Sequence, residues 1–252
     1  MHVHRSVCIH LLGGLDAWTP EGVPVPATAW RTGKNMDLLR LMALSNDHPI
    51  RAESLIEKLW PDTPPDRGRH SLRTAASQVR RVLRSPCIER TPDGLVLRGA
   101  WVDAQAFMAD ARAVQVAQRA TRHPDVLRLT RSADMLYRGV FRAYDDTSGW
   151  AVAERQQLER TRHEMYTSAA TSALELGSFR EAQQLATAAV QIDGTSETAQ
   201  RTLMRAYAEL GEVGNALRVF EAYRAHLAEE LGADPSPQTR ELHLQLLRGS
   251  TG

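Results

Sequence analysis

Residues 66–84 read DRGRHSLRTAASQVRRVLR, with six arginines against a single acidic side chain. At a hundred degrees per residue, Leu72, Ala75, Ala76, Val79, Val82 and Leu83 fill one sector of a helix, while His70, Arg73, Thr74, Ser77, Arg81 and Arg84 crowd the opposite side. The pattern predicts a helix docked by one face and offered to a polyanion by the other. A duplex groove suits that face, because guanidinium groups pair with phosphate oxygens and with the guanine edge, while small hydroxyls allow close approach. A charged helix face is ordinarily only a solvated one, so the flanking sequence has to decide.

On the N-terminal side, Val7 to Pro26 is a set of short apolar runs broken by Gly13-Gly14, Pro20 and Glu21-Gly22, the signature of a small antiparallel sheet. Helical periodicity begins near Gly33, with Met36, Leu38, Leu39, Leu41, Met42 and Leu44 as its apolar stripe, and stops at Ser45-Asn46-Asp47-His48-Pro49. A second helix is expected from Ala52 to Trp60, burying Leu55, Ile56, Leu59 and Trp60 and ended by Pro61. The loop PDTPPD then leads to the basic helix, with Asp66 as its expected N-cap. Beyond Arg84, CIERTPDGLVL places two apolar runs around Thr91-Pro92-Asp93-Gly94, a hairpin. Strands, three helices and a closing hairpin, with the third helix basic, describe a winged helix-turn-helix.

The segment KNMDLLRLMALSNDHPIRAESLIEKLWPD followed by SLRTAASQVRRVL resembles the DNA-binding domain of the Streptomyces antibiotic regulatory proteins, which has an OmpR-like winged helix. The resemblance implies that the third helix reads bases and that the PDTPPDRGR loop faces transcription machinery. The base-reading set is then expected to be His70, Arg73, Thr74, Ser77, Arg80, Arg81 and Arg84. Phosphate contacts are expected from Arg31, Lys34, Arg51, Arg67 and Arg69, and wing contacts from Arg90 and Thr91. Three positions depart from the family pattern: His70 where asparagine is common, Leu95 where the wing often has tyrosine, and Arg51 where a serine usually caps the second helix. Arginine has no acceptor with which to cap, so Arg51 either leaves that helix start to water or serves as a phosphate clamp. Histidine cannot pair bidentately with adenine as asparagine does.

From Asp103 onward the pattern is almost wholly helical. Leu176-Gly177 recurs as Leu210-Gly211, a spacing of 34 residues, which is the tetratricopeptide period. Ala182 aligns with Ala216 and Leu185 with Val219, and Gly194 stands where the repeat usually has proline. The expected helix pairs are 160–176 with 179–192 and 196–210 with 213–231. Two repeats cannot close a solenoid core, so 103–119, 124–138, 149–160 and 236–248 are expected as flanking helices. Tyr137, Phe141, Trp150, Tyr207, Phe220 and Tyr223 read as core aromatics. LYRGVF, Trp150, AERQQLE and the run from TAQRTLMRAYAELGEVGNALRVF to TREL resemble the bacterial transcriptional activator domain that follows the winged helix in the same regulators. The fold class is thus mainly α with a small β component, a winged helix-turn-helix over 1–100 and a tetratricopeptide-like helical domain over 101–252.

Charge supports that division. Residues 1–100 hold fourteen Lys/Arg against ten Asp/Glu, whereas residues 101–252 hold seventeen against twenty. No apolar run approaches the roughly 20 residues that span a bilayer, and the start lacks the long apolar segment of a secretory signal, so a cytoplasmic protein is expected. Cys8 and Cys87 have no CxxC or Cys/His metal spacing, and His2, His4 and His10 lack Cys or carboxylate partners nearby, so no metal is expected. Neither a Walker A sequence nor a strand-linked GxGxxG occurs, and no nucleophile triad stands out; no cofactor and no enzymatic activity are expected.

The resemblance implies a transcriptional activator of a secondary-metabolite gene cluster. It would bind direct repeats in promoter DNA as a head-to-tail pair of protomers and contact RNA polymerase. Two other classes fit the same residues: a tetratricopeptide adaptor for protein contacts, and a regulator gated by a small molecule in the helical domain.

Overall fold

A computed structural model describes residues 6–249; His2 and His4 lie outside them. Contacts divide the chain into two compact units, one comprising the chain through Ala109 with Asp134–Leu158, the other Asp110–Ala133 with the chain from Glu159 onward.

The first unit opens with β1 (Val7–His10) and β2 (Asp16–Trp18), antiparallel as the turn signals predict. Next come α1 (Gly33–Leu44), α2 (Ala52–Leu59) and α3 (Pro65–Leu83), then the hairpin strands β3 (Ile88–Thr91) and β4 (Gly94–Leu97). A further strand, β5 (Ala100–Val102), pairs parallel to β1, giving the order β2-β1-β5. Periodicity could not announce β5, which has only three residues.

Thr32 caps α1, its hydroxyl accepting the Asn35 N–H at 3.3 Å, and Asn46 and Asp47 turn the chain in left-handed conformations after the helix ends. Leu38, Leu39, Met42 and Leu55 have no exposed surface and form the centre of the core. Gly68 lets α3 approach α2, since a Cβ there would stand 2.5 Å from Ile56 Cγ2. Trp60 is only half-buried, contrary to expectation, because the helix stops at Leu59 and Trp60 leaves it at φ −140°.

Residues 134–158 belong to this unit, so the compact bodies do not follow a single cut at residue 100. The physical reason is local. Leu12 bridges Phe141, Arg138 meets Asp16 at 3.3 Å, and the buried carboxylate of Asp37 accepts the N–H groups of Tyr144 and Asp145 at 2.8 and 3.4 Å.

The helical remainder begins with α4 (Asp103–Arg119), α5 (His123–Leu136) and α6 (Gly149–Glu175), each contributing residues to both units. Asp103 is fully buried and accepts N–H groups of Leu11, Leu12 and Ala104 at 2.8, 3.1 and 2.6 Å. The helices expected at 149–160 and 160–176 are one continuous helix of 27 residues, since no glycine or proline interrupts 150–175.

In the second unit follow α7 (Phe179–Ile192), α8 (Glu197–Glu209), α9 (Val213–Leu231) and α10 (Pro237–Leu247). The repeat is visible in the turns. Ser178 N–H donates to Ala173 O and Glu212 N–H to Tyr207 O, both at 2.8 Å and 34 residues apart, with Gly177 and Gly211 at φ +70° and +74°. Ala182 and Ala216 are fully buried where the paired helices meet, and Met204, Ala216, Phe220 and Leu246 form a core in which α10 closes the end. Phe141, Trp150, Phe220 and Tyr223 are buried, whereas Tyr137 and Tyr207 are half-buried. The fold class is mainly α with a small β component: a winged helix-turn-helix and tetratricopeptide-like helices. Among the described residues no helix is long and apolar enough to cross a membrane.

Candidate nucleic-acid interface

α3 buries Gly68, Leu72, Ala75, Ala76, Val79 and Leu83 and exposes His70, Arg73, Thr74, Ser77, Arg81 and Arg84. Val82 is half-buried at the edge of the stripe. The helix begins at Pro65 after Pro64, and no side chain caps it. Asp66 is therefore not the N-cap. Proline at the first helical position needs no N–H partner and carries the required φ, so the helix starts two residues earlier than a capping Asp66 would set it. Asp66 lies in the first turn instead, 3.3 Å from the Arg69 guanidinium. Arg84 ends the helix in the left-handed region at φ +50°, its N–H directed to Arg80 O and Arg81 O. The Arg81 guanidinium donates to Gln78 Oε1.

The hairpin stands beside this helix. Ile50 pairs with Leu95, donating to Leu95 O at 2.8 Å and accepting the Leu95 N–H at 2.9 Å, so the stretch before α2 acts as a third strand along β4. Between α3, the start of α2 and the hairpin lies a groove of about 600 Å³. Arg51, Arg69, Arg73, Arg80 and Arg90 all line it, along with Glu53 and Asp93. Five guanidinium groups against two carboxylates make it a basic cleft, with donors suited to phosphate oxygens.

The expected site residues are not all gathered here. Arg51, Arg69, Arg73, Arg80, Arg90 and Thr91 line the groove. Arg51 precedes α2 without capping it, as its lack of an acceptor dictates. Thr91 turns its hydroxyl to Gly94 O at 3.2 Å, closing the hairpin tip. Arg31 and Arg67 are exposed and do not line the groove. Lys34 is half-buried and lines a different cavity, of about 890 Å³, with Lys58, Trp60, Trp150 and Glu154. Burial there pushes the Glu154 carboxyl above its ordinary value, partly countered by Lys58. Arg80 is half-buried, with its Nε–H bonded to Ile88 O at 2.7 Å.

Sequence reasoning missed Glu53, Asp93 and the Ile50 pairing. The available signal was Gly94: at φ +142° a Cβ would stand 2.1 Å from Ile50 O, so this hairpin needs glycine where another strand presses against it. Burial raises the thiol pKa of Cys8 and of Cys87, which keeps both protonated and poorly nucleophilic.

Residues 102–247 match the bacterial transcriptional activator domain family. The chain is 30% identical over 247 residues to Regulatory protein AfsR of Streptomyces coelicolor, covering 90% of this chain and 24% of that protein. It is 25% identical over 260 residues to the transcriptional regulatory protein EmbR of Mycobacterium tuberculosis, covering 98% of this chain and 64% of that protein. The chain thus spans about a quarter of one relative and under two thirds of the other. A solved structure of Mycobacterium tuberculosis EmbR in complex with a low affinity phosphopeptide superposes at a TM-score of 0.81 with 24% identity, over 97% of this chain and 65% of that one. At that identity the likeness speaks for the fold.

Proposed function

The chain belongs to the bacterial transcriptional activator domain family of regulators related to the Streptomyces antibiotic regulatory proteins, and from that premise we propose that it is a sequence-specific DNA-binding activator. The observation that carries this reading is the exposed face of α3 with its five-arginine groove. Arg73, His70, Thr74 and Ser77 face outward from a helix whose opposite side is locked into the core, the placement a major-groove reader requires. Arg81 and Arg84 extend that face toward the C-terminal end of the helix. The backbone strand beside the major groove runs between helix and wing, met by Arg51, Arg69 and Arg90, with Arg67 on the flank.

In the finer reading, the target is a promoter of a secondary-metabolite cluster. Two protomers arranged head to tail would occupy direct repeats one helical turn apart, which sets both recognition helices on the same duplex face. The exposed Pro61, Asp62 and Pro64 before α3 would meet RNA polymerase.

Mobility shift and footprinting on the chain's own genomic neighbourhood test this reading. Retardation that falls steeply with salt, with protected half-sites about 10 base pairs apart, is expected. Absence of retardation at low salt would overturn it.

A further inference from the structure

Arg80 stands apart from the other arginines of α3. Its Nε–H donates to Ile88 O at 2.7 Å, and the hairpin explains why that carbonyl is available. Cys87 O accepts the Arg98 N–H at 2.6 Å, and the register runs Ile88 to Leu97, Glu89 to Val96, Arg90 to Leu95 and Thr91 to Gly94. Antiparallel pairs alternate between bonded and unbonded, so Ile88 and Leu95 turn their backbone groups away from the β3–β4 ladder. On the β4 edge, Leu95 exchanges both bonds with Ile50. On the β3 edge, Arg80 takes the carbonyl of Ile88. The hairpin is therefore bolted along both open edges, to the approach of α2 and to α3. Arg80 also closes its own helix, since its carbonyl accepts the Ser85 N–H at 3.1 Å and the N–H of Arg84.

We infer that Arg80 is a positioning residue, which through its bond to Ile88 O sets the spacing between α3 and the wing instead of reading a base. The groove it spans is the one whose width decides whether a phosphate backbone can be gripped from both walls at once. The inference rests on the DNA-binding reading above. It removes Arg80 from the expected base-reading set and gives it to the frame.

Arg80→Lys and Arg80→Met test it in the full chain. Lysine keeps the charge but places a methylene where Nε donates, whereas methionine removes both charge and donor. Hydrogen exchange without DNA reads the frame: both variants should speed exchange of the amides in Ile88–Leu97 by about tenfold, with α1 unchanged. Binding to the footprinted site and to single-base-pair variants, across a salt series, reads the function. Both variants should weaken binding to every duplex by one common factor and preserve the base preference, and Arg80→Lys should keep the wild-type salt slope.

Unchanged hairpin exchange would overturn the inference. So would relaxed preference at one base pair, the mark of a reader. Rescue of affinity by lysine, with a salt slope lower by about one in Arg80→Met, would overturn it as well, because that is the mark of a phosphate contact. If Arg80→Met fails to fold, Arg80→Lys carries both arms. If the wild-type chain binds no duplex, the DNA reading fails by itself, and exchange still decides whether Arg80 holds the wing.

Discussion

Asp37 Oδ1 accepts the backbone N–H of Tyr144 at 2.8 Å, joining residues 107 positions apart in the chain. The same carboxylate takes the Arg40 guanidinium at 2.9 Å and the Asp145 N–H at 3.4 Å, all with no exposed surface on Asp37. Burial lowers the Arg40 pKa, and Asp37 opposes that effect. One acid thus neutralises a buried cation and fastens the 137–146 segment against α1.

Asp37→Ala should cost about 3–5 kcal/mol, because it leaves a buried guanidinium and two backbone donors without their acceptor. Asp37→Asn, which retains one acceptor, should cost less. Urea unfolding midpoints check the order. Exchange at the Tyr144 and Asp145 amides should rise in both variants, and protection equal to wild type would show that the segment is held by something else.

Gly94→Ala should destabilise by about 1–3 kcal/mol, since φ +142° is costly for any side chain and the new Cβ would run into Ile50 O. The expected signature is faster exchange at both Ile50 and Leu95. A variant with wild-type exchange there would show that the hairpin does not depend on this close approach.

Acidification should weaken the first unit through His10. Its ring lies between Trp18 and Trp101, at centroid distances of 5.0 and 5.3 Å, with Nδ1 3.6 Å from Asp103 Oδ2. Burial lowers its pKa below the ordinary 6.5 despite the pull of Asp103. With a lower pKa when folded, the unfolded chain binds the proton first, so stability is complete above the unfolded value and declines as pH drops below about 6.5. Asp103 acts oppositely and at lower pH: burial raises its pKa from 3.8, so the folded chain takes that proton first. His10→Phe should flatten the stability profile between pH 7 and 5.5. A profile as steep as the wild-type one would assign the loss to other groups.

On a cognate duplex, Arg73→Ala should cost about 1–3 kcal/mol and relax preference at one position, whereas Arg67→Ala should weaken all duplexes evenly and lower the salt slope by about one. Titrations at several salt concentrations separate the two. Full cognate affinity in a folded Arg73→Ala protein would show that the reading face lies elsewhere.

The helices were legible because their stripes are long. α3 carries its apolar residues at helical spacing over 19 residues, and the 34-residue recurrence of Leu-Gly fixed where the second unit turns. Features made by distant backbone were not legible. Ile50 pairs with Leu95 across 45 positions, β5 is three residues long, and 134–158 joins the first unit through the carboxylate of Asp37. The start of α3 also escaped, because Pro64-Pro65 sets φ before Asp66 can cap.

What the amino-acid order determined alone is the set of faces: which side of each helix is apolar, where arginines accumulate, and where the repeat recurs. Those follow from local periodicity, which needs no partner. What only the tertiary structure decided is which arginines meet. Arg51, Arg69, Arg73, Arg80 and Arg90 come from the residue before α2, from α3 and from β3, and they share one groove because Ile50 and Arg80 hold the hairpin at its edges. Lys34, equally basic in the sequence, lines another cavity because α1 places it there.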